Sequence, residues 1–142
     1  MRTTPARRGV KAEFPACAER PGGKTFPIMF VAWTTLDDQE IAEQLAFDVI
    51  AEKLAVCVQV DVTPIVSVYR WEGETQTTRE YRVVFKCLPE QLDPLEQWVL
   101  ERHPYETPEW IVLRAERVGE KYLSWAGATG TFLPFNESQP PL

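Results

Sequence analysis

Residues 65–87, "IVSVYRWEGETQTTREYRVVFKC", decide how this chain folds. Two runs rich in β-branched and aromatic residues, 65–71 and 80–87, flank a polar stretch containing Gly73. Such runs read as strands, because branched and aromatic side chains pack well on a pleated surface. The polar residues 72–79 read as the connection, with the turn near Gly73. The two runs are therefore expected to form a long antiparallel hairpin. Both carry apolar residues on either face, so one face is left needing cover, and a partner subunit would supply it.

Upstream of the hairpin, residues 28–35 (IMFVAWTT) form a continuous apolar run that reads as a buried strand. Residues 36–55 read as a helix. Asp37 and Asp38 suit its N-terminus, and Ile41, Ala42, Leu45, Ala46, Val49, Ile50 and Leu54 follow helical spacing. Val56, Val58, Val60 and Val62 alternate with period two, the mark of a half-buried strand, and Pro64 ends it. Downstream, residues 89–103 read as a second helix on Leu92, Leu95, Val99 and Arg102. Pro94 places its regular start near Asp93. Residues 109–116 read as the last main strand and 120–128 as a short final helix. The order strand, helix, strand, strand, helix, strand predicts an α+β, ferredoxin-like split βαβ sandwich. Its sheet is antiparallel with helices on one face.

At 142 residues the chain fits one domain, with a body over 27–128 between an extension, 1–26, and a tail, 129–142. The extension has Pro and Gly punctuation and no apolar period, which predicts a flexible segment. Its first dozen residues are Arg-rich and acid-free, as in an organelle transit peptide, but a disordered extension is the simpler reading. In the tail, Phe132 and Phe135 offer a means of docking onto the body. Net charge is −6; residues 1–25 hold six Lys/Arg against two acids, leaving −10 for the rest. An acidic body argues against tracking nucleic-acid phosphates. No apolar run reaches membrane-span length. Cys17, Cys57 and Cys87 form no CxxC pair, which argues against a zinc ribbon or a disulfide scaffold and fits a reducing cytoplasm. Cys57 and Cys87 fall in strand-like runs and are expected to be buried and inert.

Four stretches resemble one family. "AEKLAVCVQV" (51–60), "SVYRWEG" (67–73), "HPYETPE" (103–109) and "YLSW" (122–125) are similar, in order and spacing, to motifs of the CutA divalent-cation tolerance proteins. The resemblance spans roughly 28–125. It implies a ferredoxin-like subunit in a tight homotrimer, with the long hairpin pairing sheets between subunits. It also implies a role with copper or another divalent cation, on ligands that match His103 and Glu109 here. Thr34 stands where some relatives have a cysteine, so the softest ligand, the one that favours Cu(I), is missing.

His103 is the chain's single histidine. With Glu109 it makes at most half of a four-ligand site. As the last residue of the second helix it also suits a purely architectural role, its charged form favouring the helix C-terminus. Glu72, Glu74, Glu106 and Glu109 are further oxygen donors, and Tyr69, Trp71, Tyr105 and Trp110 are candidates to line a cleft. The expected ligand cleft comprises Thr34, Trp71, Lys86 and Tyr105; Lys86 there either snorkels or balances an anion. No nucleophile elbow, Walker loop or Gly-x-Gly-x-x-Gly is present, so no enzyme is expected. Three functions stay open. One is a trimeric protein of divalent-cation (copper) tolerance acting by ion or partner binding. Another is a signalling trimer like the PII proteins, binding a small ligand between subunits. The last is a scaffold whose tails recruit partners.

Overall fold

A computed structural model describes residues 17–19 and 25–130. Its elements are β1 (Cys17–Glu19), β2 (Thr25–Pro27), β3 (Phe30–Leu36), α1 (Gln39–Ala51), β4 (Cys57–Val60), β5 (Ile65–Trp71), β6 (Glu74–Cys87), α2 (Pro89–Arg102), β7 (Ile111–Arg114) and α3 (Glu120–Gly130). The expected tail beyond 130, with Phe132 and Phe135, and most of the expected extension lie outside the described residues. Within the extension β1 and β2 pair antiparallel, Ala18 opposite Phe26, where the sequence pattern suggested no element. No helix among the described residues is long and apolar enough to cross a membrane.

The main sheet has the order β4-β6-β3-β7, and every pairing is antiparallel. This is the ferredoxin-like arrangement, with β3 and β6 at its centre. Strand β6 is 14 residues long against an expected run of eight, 80–87. Its second half pairs with β3 on one edge, Phe30 opposite Cys87 and Leu36 opposite Tyr81. On the other edge it pairs with β4, Val58 opposite Phe85. Its first half pairs with β5 from Trp71–Glu74 to Ile65–Glu80. The residues read as a polar connection are thus strand, and β4 and β5 run in line along one edge of β6, broken at 61–64. The turn has two residues, Glu72 at φ 49° and Gly73 at φ 85°. Two positive φ values give the primed turn whose twist matches the strands it joins.

The register puts Phe30, Ala32, Val83, Phe85 and Cys87 on one face, where they join Ala42, Leu45 and Val49 of α1 and Leu92, Leu95 and Val99 of α2 in a single core. Phe30 and Phe85 are 1% and 0% exposed; burying one such side chain stabilises by about 1.5–3 kcal/mol. Met29, Val56, Leu88 and Ala126 form a second cluster, through which α3 closes one end of the sheet.

The helix ends depart from the sequence reading for definable reasons. Asp38 caps α1, its Oδ1 accepting from the Ile41 N–H at 3.0 Å. The helix stops at Ala51, so Leu54 is not on it. Lys53 turns left-handed at φ 58°, and the N–H groups of Lys53 and Leu54 donate to the carbonyls of Ile50 and Val49. That is a Schellman ending with a lysine in the position glycine usually takes. Ile41 and Ile50, expected on the inner face, are 48% and 44% exposed. Helix α2 begins at Pro89, four residues before the expected start. Pro89 needs no amide partner in the first turn. The Gln91 side chain accepts from the Leu88 N–H at 2.9 Å and donates to the Lys53 carbonyl at 3.0 Å. Pro94 is accommodated inside the helix, and Arg102 is exposed, its guanidinium 4.2 Å from the Trp98 ring centre.

Candidate functional site

The segment from His103 to Glu109 leaves α2 and is tied back at both ends to three residues of β3. At one end the His103 Nδ1 accepts from the Tyr105 N–H at 3.1 Å. An amide only donates, so Nδ1 carries no proton. Nε2 therefore holds it, and lies 3.2 Å from the Thr35 carbonyl and 2.9 Å from the Thr34 Oγ1. The imidazole is neutral and both nitrogens are engaged, so in this arrangement neither offers a lone pair to a metal. Burial lowers the His103 pKa below its ordinary 6.5, and the Thr35 carbonyl, Glu80 and Asp37 only partly oppose this. At the other end Glu109 accepts from the Trp33 indole at 3.0 Å and from the Thr35 hydroxyl at 3.4 Å. His103 and Glu109 therefore work as the two pins of a loop. Among the described residues no three His, Cys, Asp or Glu side chains stand close enough together to hold a metal ion.

Between the pinned loop and the hairpin lies a cleft of about 780 Å³. Strand alternation explains its far wall: Ser67, Tyr69 and Trp71 of β5 face the same way as Thr78 and Glu80 of β6. Tyr105 and Glu106 of the loop form the near wall, with Asp37 beside it. Four carboxylates line the cleft, those of Asp37, Glu80, Glu106 and Glu109, and among the lining residues none is basic.

Glu80 is 8% exposed. Its Oε1 accepts from the Tyr105 hydroxyl at 3.1 Å, and no cationic side chain among the described residues pairs with it. Burial, then the bond to Glu80, raises the Tyr105 pKa well above its ordinary value, so the phenol stays a donor. Thr78 presents a buried hydroxyl oxygen with no hydrogen-bond partner, the one such side-chain atom among the described residues. A buried carboxylate without a counter-charge and a buried hydroxyl without a partner are both costly to the folded chain.

Of the four residues expected in a ligand cleft, the structure brings Trp71 and Tyr105 together there. Thr34 is fully buried behind His103. Lys86 points elsewhere: its Nζ is 5.8 Å from the ring centre of Tyr122, on the strand position opposite Cys57. Trp110 also lies outside the cleft, donating to Glu96 at 2.8 Å with its ring 5.6 Å from that of Phe85. Cys87 is buried, its thiol pushed up to about 12 by desolvation. Cys57, also expected to be buried, is half-buried. Sequence reasoning missed Glu80 and Thr78 as site residues. The usable signal was length: a seven-residue strand before a two-residue turn needs seven residues after it, which carries the pairing back to Glu80.

The fold and the site define a class: a split βαβ subunit whose long hairpin and helix-to-strand loop enclose an acidic, aromatic cleft. The profile of the CutA1 divalent ion tolerance protein family matches residues 30–129, and the chain belongs to that family. It is 38% identical over 102 residues to Protein CutA, chloroplastic, of Arabidopsis thaliana, covering 72% of this chain and 55% of that protein. The chain thus spans about half the length of that plant relative. It is 33% identical over 109 residues to the divalent-cation tolerance protein CutA of Yersinia pestis, covering 77% of this chain and 91% of that one. The crystal structure of CutA1 from Oryza sativa superposes with a TM-score of 0.69 at 36% identity, over 75% of this chain and 96% of that chain.

Proposed function

We propose that this chain serves divalent-cation tolerance as a binding protein rather than an enzyme, and that the cation enters the cleft beside Glu80. The observation that carries this reading is the Glu80 carboxylate, buried in a cleft with three further carboxylates and with no cationic partner among the described residues. Oxygen donors of this kind suit hard divalent ions. A copper-selective soft site has less support, since Cys87 is buried with a raised pKa, Thr34 offers no thiolate and both His103 nitrogens are engaged. With no three ligands close enough to chelate among the described residues, binding is weak and keeps part of the ion's water. We further propose a homotrimer. Val62, Val66 and Val68 are 69%, 57% and 66% exposed along β5 and its approach, and Ile111 and Leu113 along β7 are 39% and 53% exposed. Apolar rows on sheet edges are what a partner copy covers.

Calorimetric titration of the full chain with Mn²⁺, Zn²⁺ and Cu²⁺, with light scattering alongside, tests this. The reading expects saturable, salt-sensitive binding in a trimer. A stable monomer at micromolar concentration removes the assembly. A tight copper site that survives Glu80→Gln removes the cleft.

The size of the cleft and its aromatic walls favour a second reading, in which the cleft holds a small organic ligand, as in PII-like signalling trimers. Nucleotides in the same titration address it. The acidic lining disfavours their phosphates.

A further inference from the structure

We infer that the cleft is a site for a small organic ammonium. The inference rests on the proposal that the cleft takes a cation, and names the kind of cation.

Volume decides first. Six waters around an ion fill roughly 180 Å³ at about 30 Å³ each. The cleft is about 780 Å³, so a hydrated divalent ion would touch only part of its wall. Dehydrating such an ion requires several oxygens converging on one point, and the described carboxylates do not converge. An organic ammonium has neither problem. It contacts more of the wall, and in a quaternary ammonium the charge is spread over carbon-bound hydrogens that hold water weakly.

The walls fit that chemistry. Tyr69 and Trp71 are 42% and 46% exposed on the hairpin, and Tyr105 faces them from the loop. Aromatic faces attract alkylammonium ions through the ring quadrupole, Trp most strongly. Glu80 supplies a buried counter-charge that no cation among the described residues pairs with.

The test is calorimetric titration of the full-length protein with choline, with its neutral isostere 3,3-dimethylbutan-1-ol, and with Mn²⁺. Choline is expected to bind, the isostere to bind at least tenfold more weakly, and Trp71→Leu to weaken choline by about three- to thirtyfold. Glu106→Gln, at an exposed position, is expected to weaken it severalfold while leaving the fold unchanged by circular dichroism. If Mn²⁺ binds and choline does not, this inference falls and the proposed function stands. If neither binds, both fall. Equal binding of choline and isostere makes the cleft merely apolar and overturns the inference, as does choline binding that neither substitution changes.

Discussion

The two halves of β6 differ in what they do. Tyr81–Cys87 is centred in the sheet, paired on both edges, with Val83, Phe85 and Cys87 each fully buried. Glu74–Glu80 is the same strand without a break, yet it pairs with β5 alone among the described residues. It is polar at every position and holds Thr78, whose hydroxyl has no partner, and Glu80, whose carboxylate has no cationic partner among the described residues. One half carries the fold and the other carries the site. Groups that cost stability are tolerated where the core does not depend on them.

The largest expected effect comes from breaking the first half. Phe85→Ala should destabilise the chain by about 3–5 kcal/mol, while Thr77→Ala, at an exposed position of the other half, should change stability by less than about 0.5 kcal/mol. Chemical denaturation of both variants checks the contrast; similar losses would dissolve the distinction between the halves.

The pinned loop gives the next effect. The folded state lowers the His103 pKa, so below the ordinary 6.5 the unfolded chain takes up protons that the folded chain resists. This contribution to stability is fully present above pH 6.5 and is lost as pH falls through 6.5 towards the lowered folded value. His103→Gln should flatten that slope. Unfolding midpoints measured from pH 7.5 to 5 for both proteins test the sign, and a slope unchanged in the variant would assign it to other groups.

Smaller effects sit at the ends of α1. Asp38→Ala removes the cap and should cost about 1 kcal/mol. Lys53→Gly relieves a left-handed lysine and should stabilise by about 0.5–1 kcal/mol. Denaturation midpoints moving in opposite directions are the expected signature.

The fold was legible wherever apolar residues alternate. Phe85 and its neighbours declare a buried strand, and Ala42, Leu45 and Val49 a helix face. Polar strands declare nothing of the kind, and "ETQTTR" looked like a loop because sheet pairing, rather than burial, makes it a strand. The ending of α1 was hidden because lysine replaces the glycine that usually marks it. In the candidate site, the motif pointed to His103 and Glu109, and the structure places both in the loop that shapes the cleft. Their roles as pins depend on contacts with Trp33, Thr34 and Thr35, about seventy residues away in sequence, which no local pattern encodes. Glu80 stayed unseen because its burial arises only when the hairpin and the loop close on it.

Glu80 has no cationic partner among the described residues, and the proposed bound cation supplies one. Thermal unfolding of the wild type and Glu80→Gln, each with and without Mn²⁺ or choline, tests it most directly. The amide oxygen keeps the bond from Tyr105 and removes the buried charge, so the unliganded variant should be at least as stable as the wild type and should lose the cation-induced rise in midpoint. A variant that is less stable than the wild type and still gains the full rise would contradict the claim.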